Sequence, residues 1–202
     1  MTNQPEPDSS QTVFWTKRWD AGKVPWDLGD IPAALHTFLL NEQTPGRVLV
    51  PGCGSGYEVK AFHQAGYEVT AIEFAGSAVE RARSLFPELG DRIIHANFFK
   101  HDFGSQCFDL VYERGFLCSL PMTRWAEYAA RMSGLISPGG RLAGLFLYGE
   151  EPEPPPFPLT TERAEKLFGA TFKLLHSEAS TAPTVPVYQG MEHWQEWARA
   201  GT

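Results

Sequence analysis

Gly52, Gly54 and Gly56 stand on alternate positions directly after the apolar run Arg47-Val48-Leu49-Val50-Pro51, with Cys53 between the first two. An apolar run that stops on glycines reads as a buried strand entering a tight turn. Without Cβ atoms such a turn admits positive φ and lets backbone amides close on a ligand, while the next helix offers its N-terminal amides to an anion. Twenty-one residues beyond Gly52, a second short run, Glu68-Val69-Thr70-Ala71-Ile72, ends on Glu73. An acid at that strand end is where a pair of ribose hydroxyls finds its acceptor. Turn and acid together point to a bound nucleoside.

The third glycine follows the second by two residues, where the dinucleotide fingerprint has three. That spacing argues against a pyrophosphate and so against a nicotinamide-dependent oxidoreductase. Two later segments supply further chemistry. In Asn97-Phe98 an amide and an aromatic face suit an adenine ring. Glu113-Arg114 follows a fourth apolar run, so two charged side chains are expected to project from one strand end towards the glycine turn. Cys53, Cys107 and Cys118 are odd in number and give neither a disulfide framework nor a zinc spacing. Cys53 suits a small turn residue and Cys118 packing, rather than nucleophiles. The six histidines are dispersed, and no metal site is expected.

These groups need a frame that gathers strand ends. Strands are predicted at Arg47–Val50, Glu68–Ile72, Arg92–Ala96, Phe108–Tyr112 and Arg141–Tyr148, with helices at Glu58–Ala65, Ser77–Phe86 and Thr123–Ile136 between them. Such alternation implies a parallel sheet and an α/β fold. Thr160 or Thr161 caps a helix to about Phe168, and Phe172–His176 reads as another strand. Val185–Tyr188 favours a strand, whereas Trp194 and Trp197 have helical spacing. Ahead of the first strand, Val13–Asp30 holds Trp15, Trp19 and Trp26 without a clean period and reads as an aromatic loop. Pro32 opens a helix to about Leu40. Residues 1–12 are expected to form a disordered tail, and residues 13–202 a single domain whose segment 13–45 covers the cofactor.

Composition narrows the partner. With 17 basic and 24 acidic residues the net charge is −7, which opposes the phosphate-tracking surface that nucleic acids require. No apolar run approaches the roughly 18 residues of a membrane span. A small-molecule acceptor, a cytoplasmic setting and a monomer are the expectations.

In order along the chain, several blocks resemble the thiopurine S-methyltransferase-like family of class I S-adenosylmethionine-dependent methyltransferases, which also holds thiol, halide and selenium methyltransferases. They are Trp15-Thr16-Lys17-Arg18-Trp19, Val24-Pro25-Trp26-Asp27, Leu49 to Tyr57, Asn97-Phe98-Phe99, Asp109 to Pro121, and Tyr128-Ala129 through Pro138-Gly139-Gly140. The resemblance implies a Rossmann-like three-layer sandwich with a seven-stranded, mostly parallel sheet and helices on both faces. It implies S-adenosylmethionine as cofactor and S-adenosylhomocysteine as product. Trp15, Trp19, Gly52, Cys53, Gly54, Gly56, Glu73, Phe74, Asn97, Phe98 and Glu113 would hold the cofactor. Trp26, Phe116, Tyr148 and Phe157 would line the acceptor pocket, together with Tyr188. Arg114 is the candidate catalytic residue, lowering the pKa of a thiol or orienting it. Asn97 stands where many members carry aspartate, and Glu113-Arg114 is nearer the Asp-Arg of thiol-acting relatives than the Asp-Tyr of halide-acting ones. The acceptor is expected to be a thiol or another soft nucleophile. An O- or N-methyltransferase of a natural product, with Glu113 as general base, and a non-catalytic S-adenosylmethionine-binding protein are the alternatives.

Overall fold

The computed structural model describes residues 8–42, 44–105, 107–150 and 154–201. Its helices are α1 (Thr12–Asp20), α2 (Ala33–Asn41), α3 (Tyr57–Gln64), α4 (Gly76–Leu85), α5 (Trp125–Leu135) and α6 (Thr161–Phe168). The strands are β1 (Arg47–Pro51), β2 (Glu68–Glu73), β3 (Ile93–His95), β4 (Phe108–Arg114), β5 (Ile136–Leu147), β6 (Phe172–Ala179) and β7 (Glu192–Arg199). They form one sheet in the order β3-β2-β1-β4-β5-β7-β6. β7 runs antiparallel to both β5 and β6, and the other pairings are parallel.

Both faces of the sheet are covered, which is why β1 and β4 read as continuous apolar runs rather than alternating ones. Successive residues nevertheless divide between two cores. On one face Leu49, Val111 and Phe146 pack with Tyr128 and Met132 of α5 and Phe168 of α6. On the other Val48, Leu110, Tyr112 and Leu145 pack with Leu35, Val59, Phe62 and Val79 from α2, α3 and α4. The strand order reverses between β1 and β4, and ligands of open parallel sheets bind beyond the carboxyl ends at that point.

Four expectations need correcting. The supposed loop over Val13–Asp30 contains α1, a helix whose residues are all partly or fully exposed, so no apolar stripe announces it. Trp194 and Trp197 lie on a strand, β7, and not on a helix. Trp194 belongs to one core and Trp197 to the other, as residues three apart on a strand must point to opposite faces. Val185–Tyr188 is not a strand, because Pro186–Tyr188 makes a single 3₁₀ turn. Of the expected tail, residues 1–7 lie outside the described residues, but Ser9 is buried and its carbonyl accepts Trp15 Nε1–H at 2.8 Å.

Candidate active site

The turn after β1 is glycine for two physical reasons. Gly52, Gly54 and Gly56 have φ of +62°, +51° and +80°, where L side chains are strained. Space is also short, since a Cβ on Gly52 would stand 2.7 Å from Phe116 Cδ2, and one on Gly54 3.3 Å from Trp19 Cζ2. Gly56 works one step further back, as the N-cap of α3 with its α-carbon facing Ala82 rather than the cavity.

Glu73 ends β2 beside this turn. It is buried, and its carboxylate accepts amides from Gly54 at 3.2 Å, Phe74 at 2.8 Å and Ala75 at 2.9 Å. Burial pushes its carboxyl up and the three amides oppose that shift. With about four acceptor positions on a carboxylate, one remains for a ligand hydroxyl. Asn97 Oδ1 accepts Phe99 N–H at 2.9 Å, so its Nδ2 is the group left to face a ligand. Phe98 is 4% exposed and belongs mainly to the core.

Above the turn the tryptophans of the opening segment form their own cluster. Trp26 meets Trp15 edge-on at 5.2 Å and Trp19 at 6.1 Å between ring centroids. Three polar side chains fasten this segment to the body. Ser55 Oγ donates to Asp27 Oδ2 at 2.6 Å and accepts Arg81 Nε–H at 2.9 Å, while Arg81 Nη2 stands 3.7 Å from Asp27.

The pair Glu113-Arg114 does not act from one side. Neighbours on a strand face opposite ways, and the two carry their charges into different layers. Glu113 is 1% exposed and turns away from the cavity: Oε2 accepts Tyr128 O–H at 2.6 Å, and Oε1 accepts the amides of Phe116 at 2.8 Å and Leu117 at 2.9 Å. It braces the loop after β4, and the expectation that it holds cofactor or acts as base is corrected. Burial pushes its carboxyl up to about 7 against these hydrogen bonds. Arg114 faces α3, with Nη1 3.7 Å from Glu58 and Nε 3.3 Å from Glu192. Its Nη2 is buried without a partner among the described residues, as is the hydroxyl of Tyr112 two positions earlier.

The glycine turn, Glu73, Asn97, Arg114 and the three tryptophans meet around one cavity of about 590 Å³. Gly52, Cys53, Gly54, Glu73 and Phe74 form one part of its lining, and Asn97, Phe98, Arg114 and Phe116 another. Trp15, Trp19 and Trp26 close it, with Pro155, Pro156 and Tyr188 also at its wall. Tyr148 and Phe157, expected in the acceptor pocket, are not in that lining. The Tyr148 hydroxyl exchanges hydrogen bonds with Gln195, and Phe157 donates its amide to the Cys118 carbonyl at 2.7 Å and packs on the core. Burial, then Glu73 and Glu58, push the Cys53 thiol well above its ordinary range, which removes it as a nucleophile. Sequence reading missed Asp27, Ser55, Glu58, Arg81, Tyr112 and Glu192. Glu58 carried a usable signal, an acid in the first turn after the glycines. Glu192 lies 78 residues from its partner Arg114 and carried none.

The volume suits a nucleoside-sized ligand. The glycine approach, the open position on Glu73 and the aromatic cover fit S-adenosylmethionine in particular. Residues 10–199 match the family described as Thiopurine S-methyltransferase (TPMT). The chain is 31% identical over 198 residues to probable thiol methyltransferase 2 of Arabidopsis thaliana, covering 93% of this chain and 85% of that protein. It is 26% identical over 184 residues to thiopurine S-methyltransferase of Pseudomonas fluorescens, covering 81% and 83%. Among solved structures, Burkholderia thailandensis 1,6-didemethyltoxoflavin-N1-methyltransferase with bound 1,6-didemethyltoxoflavin and S-adenosylhomocysteine superposes with a TM-score of 0.73. At 21% identity, over 100% of this chain and 94% of that one, the likeness is one of fold. The family match begins ahead of α1 and ends on the last residue of β7, so this chain belongs to the thiopurine S-methyltransferase family.

Proposed function

We propose that this methyltransferase places the methyl group of S-adenosylmethionine on the sulfur of a small thiol. The observation that carries the acceptor class is the wall of the cavity. Rings of Trp15, Trp19, Trp26, Phe116 and Tyr188 surround one buried charged cluster, an environment suited to a polarizable nucleophile. The relatives support the same atom, being named for thiol and thiopurine acceptors.

When bound, the cofactor supplies a methyl group already activated on a sulfonium, so the protein has chiefly to align a nucleophile and exclude water. Backbone at Gly52 to Gly54 would hold its amino acid end beneath Trp15 and Trp19. Glu73 would accept from the ribose, and Phe74, Asn97 and Phe98 would flank adenine. Trp26 and Phe116 would bound the acceptor. Arg114 lines the cavity and would orient it; with two carboxylates beside it, its charge is offset, which makes it a donor rather than a depressor of thiol pKa.

No helix among the described residues is long and apolar enough to cross a membrane. Three free cysteines suit a reducing cytoplasm, and a monomer suffices because the cavity closes within one chain. The test is mass-resolved methylation of thiols, selenols, halides and phenols with labelled S-adenosylmethionine. Transfer concentrated on thiols is expected; label carried only by phenols or halides would reject the sulfur assignment.

A further inference from the structure

Of the carboxylates that line the cavity, all but one accept hydrogen bonds from other residues. Glu73 accepts three backbone amides, Asp27 accepts Ser55 and the amide of Gly29, and Asp30 accepts the amide of Ile31 at the exposed rim. Glu58 differs. Its side chain is 13% exposed and lines the cavity, and among the described residues its carboxylate has a hydrogen bond from its own backbone amide and none from another residue. The nearest cationic nitrogen, Arg114 Nη1, is 3.7 Å away, beyond ordinary hydrogen-bond distance. Glu113, named as a base for the O- or N-methyltransferase alternative, faces the other layer.

Resting on the thiol reading above, we propose that Glu58 is the general base that takes the proton of the acceptor thiol. The charge balance of the cluster supports this. The groups facing Glu58 are Arg114 and Tyr112 from β4, Glu192 from β7, Asp27 from the aromatic segment and Cys53 from the glycine turn. Glu58, Arg114 and Glu192 together carry one net negative charge when all are ionised. A thiolate entering from water would meet the carboxylates of Glu58, Glu192 and Asp27, set against Arg114 and the sulfonium that the bound cofactor supplies. A neutral thiol adds no charge, and passing its proton to Glu58 leaves one negative charge in place, moved from carboxylate to sulfur. Burial pushes the Glu58 carboxyl up, with Arg114 opposing, which makes it a stronger base than an exposed carboxylate.

The step balances. The S–H bond breaks and its proton joins a Glu58 oxygen. The sulfur electron pair then forms the bond to the methyl carbon as the carbon–sulfonium bond breaks, its pair staying on the departing sulfur. Glu58 returns its proton to water when the products leave.

The test compares wild type with Glu58→Gln on two thiols, an alkyl thiol protonated at neutral pH and 4-nitrothiophenol, which is already ionised there. The ratio of alkyl to nitroaryl turnover is expected to fall about 10²-fold in the variant. A second readout needs no turnover. In the complex with S-adenosylhomocysteine, an aryl thiol bound at a pH below its solution pKa should absorb as thiolate on wild type and as thiol on E58Q. Equal losses with both thiols, or thiolate absorbance that survives E58Q, overturns the proposal. Should E58Q fail to bind S-adenosylhomocysteine, Glu58→Asp keeps the carboxyl, and an intermediate turnover ratio is then expected. A wild-type enzyme that binds S-adenosylhomocysteine but methylates no thiol overturns the acceptor reading itself, and is distinguished by that binding.

Discussion

Glu113 and Arg114 are adjacent in sequence and do unrelated work, because the period of a strand is two. Glu113 is closed off by Tyr128 and by the amides of Phe116 and Leu117, and burial lifts its carboxyl to about 7. A carboxyl whose folded-state pKa is raised binds its proton more tightly in the native state than in the unfolded chain. Its contribution to stability is therefore greatest below the unfolded value of 4.5 and declines as pH rises to about 7. At ~1.4 kcal/mol per unit the decline is on the order of 3 kcal/mol. Glu113→Gln can accept the two amides through its carbonyl and present its amide to the Tyr128 oxygen. Melting curves between pH 4.5 and 7 are expected to slope downward in wild type and to flatten in E113Q. Parallel slopes would mean that Glu113 is ionised throughout that range.

At the scale of elements, the aromatic segment is held to the glycine turn by Ser55, which joins Asp27 to Arg81 of α4. Arg81 is 48% exposed, so its ion pair with Asp27 adds little, and the shared hydroxyl is the stronger fastening. Ser55→Ala should weaken S-adenosylhomocysteine binding three- to tenfold, corresponding to about 1 kcal/mol, chiefly through faster release. Stopped-flow displacement measures this directly; an unaltered release rate would make the fastening incidental. This clasp also marks where the sequence stopped being readable. β1, β2, β4 and β5 were legible as apolar runs buried on both faces, and the glycine turn and Glu73 were legible because backbone geometry and spacing demand them. α1 was not, since a helix resting over a cavity buries no stripe and leaves no 3.6-residue period. β7 was misread because its two tryptophans serve opposite cores at a separation that imitates a helix. The Glu58–Arg114–Glu192 cluster joins α3, β4 and β7, and only the sheet order brings them together.

For the whole molecule, the cover and the body are separable in energy. Neither core on the two faces of the sheet draws a buried residue from α1, and its own residues are at most partly buried. Besides lying against α4, α1 contributes contact with its own cluster and with the cavity, through Trp15 against Trp26 and Trp19 against the α-carbon of Gly54. A chain lacking residues 1–22 should therefore fold with a melting temperature within a few degrees of the full chain. Ligand linkage then separates the two. S-adenosylhomocysteine at about 100 times its dissociation constant stabilises a binding-competent fold by ~2.7 kcal/mol. For a chain of this size that corresponds to a rise of about 5–10 °C. The full chain should show the rise and the shortened one should lack it at the same ligand concentration. A shortened chain that melts broadly, or only far below the full chain, would place α1 within the cooperative core. A shortened chain that keeps the rise would show instead that the glycine turn and Glu73 hold the cofactor without their aromatic cover.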